Sequence, residues 1–244
     1  MNLRVDDLHE YSFPYVHRHS ARKCAGRQEG VVLGLIPVYA WIEILIAMKA
    51  NLMADLLKMD PARIARLRDP ARLKQIDPAT ILDHVQPLAD GPIVDVGAGV
   101  GFVSLPFARL LPGRNIIACD IQAGMIELLT EDGAVEGLSN LKPKLMSGPS
   151  DLPLPDASAA MLVMLQVHHE LDDAMSLLRE CRRVLQPGAP LVIVDWIAGD
   201  IPGMASGGRR VAAEDIQRQV AETGLKDVTD HPVYTVHSMT VGIA

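Results

Sequence analysis

From Ile93 onward the chain alternates short apolar, β-branched runs with helical segments, separated by glycine and proline turns. Ile93-Val94-Asp95-Val96 reads as a strand, Gly97-Ala98-Gly99-Val100-Gly101 as a turn, and Phe102–Leu111 as a helix closed by Pro112-Gly113. A second strand spans Asn115–Cys119 and ends at Asp120, a helix follows over Ala123–Val135, and a weaker third strand spans Leu141–Met146. A fourth strand, Ala160–Gln166, precedes a helix over Asp172–Leu185 and a fifth strand over Leu191–Asp195. Parallel neighbours need a long crossover, usually a helix, so this alternation predicts βαβ units and a parallel sheet covered on both faces. The apolar runs Ile93–Val96 and Leu191–Val194 suit central positions.

The flanks extend this pattern. Asp60-Pro61, Asp69-Pro70 and Asp77-Pro78 each place an N-cap carboxylate before a proline at the first helical position. They predict a helical stretch from Asp60 through Arg72 and a helix over Ala79–Val85. Ala213–Thr223 predicts a last helix, and Lys226–Val241 two closing strands. In the Asp172–Leu185 helix, acids stand first and Arg179, Arg182 and Arg183 last, as the macrodipole favours.

The glycine turn sits at the carboxyl end of the first strand, where open α/β sheets bind ligands. Glycines let a ligand approach the backbone, and a helix N-terminus offers free N–H groups to an anion. A dinucleotide fingerprint, G-x-G-x-x-G, requires glycine where Phe102 stands. The pattern present is G-x-G-x-G, preceded by Asp95, with Asp120 ending the second strand about 20 residues after the turn. A carboxylate there can accept from both ribose hydroxyls of a nucleoside.

The run Ile93-Val94-Asp95-Val96-Gly97-Ala98-Gly99-Val100-Gly101-Phe102 resembles motif I of the class I S-adenosylmethionine-dependent methyltransferases. Leu152-Pro153-Leu154-Pro155-Asp156-Ala157-Ser158 resembles the approach to that family's fourth strand. Leu177 through Arg183-Val184-Leu185-Gln186-Pro187-Gly188-Ala189 resembles its "E-x-x-R-V-L-K-P-G-G" segment. Upstream, Leu67-Arg68-Asp69-Pro70-Ala71-Arg72 resembles the leading helices of the small-molecule branch that includes quinone and arsenite methyltransferases. Motif order and spacing together are more specific than any one motif. The resemblance implies a Rossmann-like, mostly parallel α/β sheet of seven strands over residues 60–244, behind an N-terminal helical extension over 1–59. It also implies S-adenosyl-L-methionine as methyl donor.

By the same resemblance, the loop of Gly97, Ala98, Gly99 and Gly101 lies against the methionine part of the donor, and Asp95 helps hold its amino group through water. Asp120 takes the ribose hydroxyls, and Ile121 and Met125 flank the adenine; Met125 reads equally as a core methionine. The chain departs from the family in the third-strand loop, Ser147-Gly148-Pro149-Ser150-Asp151, where an acid usually binds the adenine amino group. Ser147 or backbone groups stand in its place. Ser158-Ala159-Ala160 replaces the usual Asp at the start of the fourth strand, and Ala189 the second glycine of Pro-Gly-Gly.

Transfer from a sulfonium is an in-line displacement, so the protein mainly supplies position and excludes water. A hydroxyl or activated-carbon acceptor also benefits from a general base. The candidate is His169, in the segment after the fourth strand and in a context similar to the "H-D-W-x-D" of phenolic O-methyltransferases. His169 also reads as a pocket-lining residue without a proton role. Asp195 and Trp196 end the fifth strand on the same edge; Asp195 reads either as facing the acceptor or as a satisfied strand-end carboxylate. The glycine-rich Gly199–Gly208 resembles the family's acceptor loop and leads to Arg209-Arg210, which read as a solvated pair or as binders of an acidic substrate. No metal is expected: H-E-x-x-H needs a second histidine where Asp173 stands.

Composition sets the remaining bounds. With 23 Lys+Arg against 30 Asp+Glu the net charge is −7, which argues against nucleic acid as partner. A 49% hydrophobic content excludes a disordered chain. Cys24, Cys119 and Cys181, odd in number and widely spaced, exclude a disulfide framework, suit a reducing cytoplasm and do not match the arsenite branch. The acidity is uneven: residues 1–50 are slightly basic, and Val31 to Met48 is almost wholly apolar. This stretch, within an apolar helix expected over 31–57, just reaches membrane-helix length, although Pro37 and Glu43 count against a simple span. It reads as a helix docked on the main domain, as a membrane contact through 31–48, or as lying ahead of a native start at Met53. The function expected is methyl transfer from S-adenosylmethionine to a small molecule through an O, C or N nucleophile. A non-catalytic S-adenosylmethionine-binding relative and a membrane-associated, quinone-type methyltransferase are the alternatives.

Overall fold

A computed structural model of the chain describes residues 60–85, 88–199 and 208–244. The extension over 1–59, its apolar helix over 31–57 and the membrane contact through 31–48 lie outside the described residues. Among those described, no helix is long and apolar enough to cross a membrane.

The chain runs α1 (Pro61–Leu67), a 3-10 segment (Pro70–Lys74), α2 (Pro78–Val85), β1 (Ile93–Val96), α3 (Ser104–Leu110), β2 (Ile116–Asp120) and α4 (Ala123–Val135). It continues through β3 (Leu141–Leu145), β4 (Met161–Leu165), a 3-10 turn (His168–Glu170), α5 (Ala174–Val184), β5 (Pro190–Trp196), α6 (Ala213–Glu222), β6 (Lys226–Asp230) and β7 (His237–Ile243). The strands form one seven-stranded sheet in the order β3-β2-β1-β4-β5-β7-β6. The pairs β3–β2, β2–β1, β1–β4 and β4–β5 are parallel, and β7 lies antiparallel between β5 and β6. The expected mostly parallel, seven-stranded α/β sheet is therefore present. The chain leaves β1 toward β2 and later returns to β1's other side with β4. That switch opens a crevice above the carboxyl ends of β1 and β4.

The three Asp-Pro signals act as read: Asp60, Asp69 and Asp77 accept from the N–H groups of Ala62, Ala71 and Ala79 at 3.2, 2.8 and 3.0 Å. The helical stretch expected from Asp60 through Arg72 is nevertheless broken. Helix α1 stops at Leu67, and the residues from Pro70 form a 3-10 segment. Proline disfavours α geometry in the residue before it, so Asp69-Pro70 restarts the chain in a new direction.

Both sheet faces are covered. Val94, Val96, Cys119, Leu162, Met164 and Ile193 face α5 and α6, meeting Leu177, Leu178, Cys181, Ile216 and Val220. On the other face Ile93, Ala118, Met161, Val163 and Val192 meet Ile81 of α2, Phe107 of α3 and Leu129 of α4. Burial on both sides explains why the central strands read as apolar runs without alternation. Leu178 of α5 is fully buried at the first of these contacts. Leu178→Ala should lower unfolding free energy by about 2–5 kcal/mol, because the surrounding sheet cannot collapse into the vacated volume. Urea denaturation measures this; a loss below about 1 kcal/mol would mean that α5 is not docked as described.

Candidate active site

The carboxyl ends of the parallel strands open into a cavity of about 690 Å3. Its base is the glycine turn. Gly97 and Gly101 have φ of +72° and +80°, and a Cβ on either would lie 2.5 Å from Val167 and Leu129 respectively. Both positions therefore require glycine for backbone conformation and for space. Gly99 donates its N–H to Asp120 Oδ2 at 2.8 Å, while Asp120 Oδ1 accepts from Gln122 N at 2.9 Å. The acid ending β2 thus ties the glycine turn to the start of α4.

Asp120, Gly97, Ala98, Gly99, Ile121 and Met125, all singled out in the sequence, line this one cavity. Met125 is buried and Ile121 is 46% exposed at the rim. Gly101 and Asp95 are not in the wall: Gly101 packs beneath it, and Asp95 lies buried under the turn. Asp95 Oδ2 accepts from Ser104 N at 3.1 Å and from Ser104 Oγ, so it braces the first turn of α3. Burial pushes its carboxyl up to about 7, against the opposing pull of the Ser104 hydrogen bonds. At the third-strand loop, Met146, Pro149 and Ser150 line the cavity, while Ser147 bonds to Asp151 through its hydroxyl.

The two adjacent histidines separate. His168 is buried, with Nε2 at 2.8 Å from Gln219 Oε1 of α6, and burial holds its ring below the ordinary imidazole value. His169 lines the cavity. Its backbone N–H donates to Asp195 Oδ2 at 2.9 Å, and its ring Nδ1 lies 2.7 Å from Asp195 Oδ1. Asp195, buried at the end of β5, also accepts from Trp196 N at 2.7 Å. It is therefore both a satisfied strand-end carboxylate and the orienter of His169. The Asp195 hydrogen bond raises the His169 ring above its ordinary value, overcoming partial burial. With Nδ1 committed, Nε2 remains as the nitrogen able to exchange a proton with a molecule in the cavity.

Further wall residues, for which the sequence indicated no binding role, include Arg63 and Leu67 of α1, Arg72 of the 3-10 segment, Phe102, Gln166, Glu170 and Trp196. Arg72 closes the segment Leu67–Arg72 whose resemblance to the family's leading helices implied no role for this side chain. Residues 200–207 of the expected acceptor loop lie outside the described residues. Of the flanking arginines, Arg209 donates to Leu171 O and lies 3.9 Å from Asp172, and Arg210 donates to Gly199 O.

Comparison with known proteins agrees with this fold. Residues 94–193 match the model of a methyltransferase domain family. The chain is similar to a strychnine O-methyltransferase of Strychnos nux-vomica, 27% identical over 110 residues that cover 44% of this chain and 28% of that protein. It is also similar to the ubiquinone/menaquinone biosynthesis C-methyltransferase UbiE of Hahella chejuensis, 24% identical over 62% of this chain and 56% of the relative. These matches span well under two thirds of either relative's length. Among solved structures, a SAM-dependent methyltransferase from Aquifex aeolicus superposes with a TM-score of 0.68 at 25% identity, over 76% of this chain and 98% of that one. Through its 94–193 core the chain carries a methyltransferase domain, set in a seven-stranded sheet that superposes on that of a solved SAM-dependent methyltransferase.

Proposed function

We propose that the chain transfers a methyl group from S-adenosylmethionine to an oxygen of a small-molecule acceptor, with His169 as general base. The observation that carries this reading is the 2.7 Å contact between His169 Nδ1 and the buried Asp195 carboxylate, at the wall of the cavity. A pair in which a carboxylate orients an imidazole supplies a base.

The residues present fit the donor. Asp120 offers a carboxylate to a ribose diol, Ile121, Met125 and Met146 offer an apolar slot for adenine, and Gly97–Gly99 leave room for the methionine part. Asp95, held by Ser104, supports this turn from below rather than meeting the donor directly. When bound, the donor supplies a methyl group already activated as a sulfonium. The chain's own work is to hold the acceptor hydroxyl in line, to exclude water with Leu67, Phe102 and Trp196, and to take the hydroxyl proton on His169 Nε2. Asp195 keeps Nδ1 protonated and stabilises the resulting imidazolium. The buried thiols of Cys119 and Cys181 support a cytoplasmic setting, and we take the domain to span 60–244.

Calorimetry with S-adenosylhomocysteine, followed by an acceptor screen, tests the reading. Asp120→Ala should weaken cofactor binding at least about tenfold, the scale of a lost charged hydrogen bond. Undiminished affinity would contradict the assignment of the donor site. With a turnover assay in hand, His169→Ala should lower kcat by about 10²–10⁴ and leave cofactor affinity unchanged.

The pH profile has a definite sign. The base acts only when neutral, and Asp195 raises the His169 ring above its ordinary value near 6.5. The acid limb of kcat should therefore lie above pH 6.5. Asp195→Asn should move that limb downward while lowering the plateau. A limb that stays in place in this variant would remove His169 from the proton step.

A further inference from the structure

The cavity divides along the sheet order β3-β2-β1-β4-β5. The residues read as meeting the donor's nucleoside, Asp120, Ile121, Met125 and Met146, end or follow β2 and β3. His169 follows β4 and Trp196 ends β5, on the other side of β1. Phe102, just after the glycine turn, lines the cavity too. The chain contains only three Phe and two Trp, so two such rings in one wall concentrate a scarce residue type. Neither ring serves as core: both are half-buried, whereas Phe107 of α3 is fully buried.

Each ring is covered on one face by a group that is itself held. The Arg72 Cζ stands 4.1 Å over the Phe102 ring. The buried His237 ring stacks on Trp196, with centroids 4.1 Å apart and planes 35° from parallel. Gln166 joins the two covers: its Oε1 accepts from Arg72 Nη2 at 2.7 Å, and its Nε2 lies 2.9 Å from His237 Nε2. Burial holds the His237 ring down to about 4, so it is neutral and its Nε2 can accept from the Gln166 amide. With one face of each ring taken, the opposite face is the one left to a ligand. Flat, rigid rings favour a flat partner, because aromatic pairs gain attraction beyond plain area burial. A cation behind Phe102 also draws its π density away from the near face, which favours an electron-rich ring there.

The base sets a second condition. An imidazole titrates at about 6.5, and Asp195 raises the His169 ring above that. A phenolic hydroxyl titrates at about 10, as tyrosine does, whereas an alkanol hydroxyl is about as weak an acid as water, at about 15.7. Proton transfer to an imidazole is therefore uphill by roughly three units for the first and roughly nine for the second. We propose that the acceptor is a phenol, its ring on the free faces of Phe102 and Trp196 and its hydroxyl on His169 Nε2. In the transfer the phenol oxygen bonds to the methyl carbon as the carbon–sulfur bond breaks. The sulfur keeps that electron pair and leaves as a neutral thioether, while the phenolic proton passes to His169 Nε2 and then to water. The inference rests on the reading of this cavity as a site of oxygen methylation, and it names the acceptor class of that site.

The test compares alcohols that share a carbon skeleton: phenol against cyclohexanol, and 2-naphthol against decahydro-2-naphthol. Dissociation constants are measured by calorimetry on protein saturated with S-adenosylhomocysteine, for the native chain, Phe102→Leu, Trp196→Leu and Trp196→Phe. Methylation of the same alcohols is followed with S-adenosylmethionine. The native chain should prefer the aromatic member of a pair about 5- to 100-fold, each ring contributing a factor of about 2–10. The two leucine variants, which keep an apolar side chain, should each lose the factor of one ring, and Trp196→Phe should keep it. The ratio is taken within one protein, so a general weakening of a variant cancels. Only the phenols should be methylated at a measurable rate. Binding of neither phenol, equal affinities within both pairs, or a preference that both leucine variants leave intact would overturn the proposal. Methylation of the saturated alcohols as fast as the phenols would overturn it too, while leaving the oxygen-methylation reading in force. Failure of the native chain to bind S-adenosylhomocysteine would instead refute the donor-site reading, and the same pairs on the ligand-free protein then test the rings.

Discussion

A carboxylate at the end of a buried parallel strand must find donors, and three such carboxylates organise this structure. Asp95, Asp120 and Asp195 end or nearly end β1, β2 and β5, each at most 5% exposed. Water cannot satisfy them fully, so backbone amides and neighbouring side chains do. Asp95 gathers the start of α3 through Ser104. Asp120 gathers Gly99 and Gln122. Asp195 gathers His169 and Trp196. The same bonds that satisfy these acids fix the glycine turn, the start of α4 and the imidazole around one cavity. Stability and site geometry are therefore two consequences of one requirement.

Much of this was legible in sequence because it depends on local chemistry. Strand and helix alternation, the G-x-G-x-G turn and the Asp-Pro caps act through neighbours a few residues apart. The five parallel strands, the order of helices and the cavity positions of Asp120, Met125 and His169 follow from them. What was not legible depends on partners brought together from afar. Ser104 lies close in sequence to Asp95, yet only the fold shows that it engages that carboxylate through Oδ2. The pairing of His169 with Asp195 joins the end of β4 to the end of β5, and nothing in either segment names the other. Helix continuity from Asp60 through Arg72 failed because one pre-proline residue outweighed favourable capping.

Arg72 is the reverse of the three acids. They are buried and hydrogen-bonded, whereas it is half-buried, with its hydrogen bonds supplied by neutral groups and no carboxylate within ion-pair distance among the described residues. The acid-lined and base-lined parts of the cavity thus have different tasks. The carboxylate of Asp120 suits hydroxyl donors, the His169–Asp195 pair suits a proton to be removed, and the guanidinium backs the Phe102 ring. Such a division gives a ligand one orientation, which matters in a displacement whose rate depends on alignment more than on activation.

The most direct test is a crystal structure with S-adenosylhomocysteine bound. The account predicts the ribose hydroxyls on the Asp120 carboxylate, the homocysteine part against Gly97–Gly99, and His169, still bonded to Asp195, facing the open space beside the sulfur. Ligand bound away from the carboxyl ends of β1 and β4, or bound there with His169 turned from the sulfur, would contradict it.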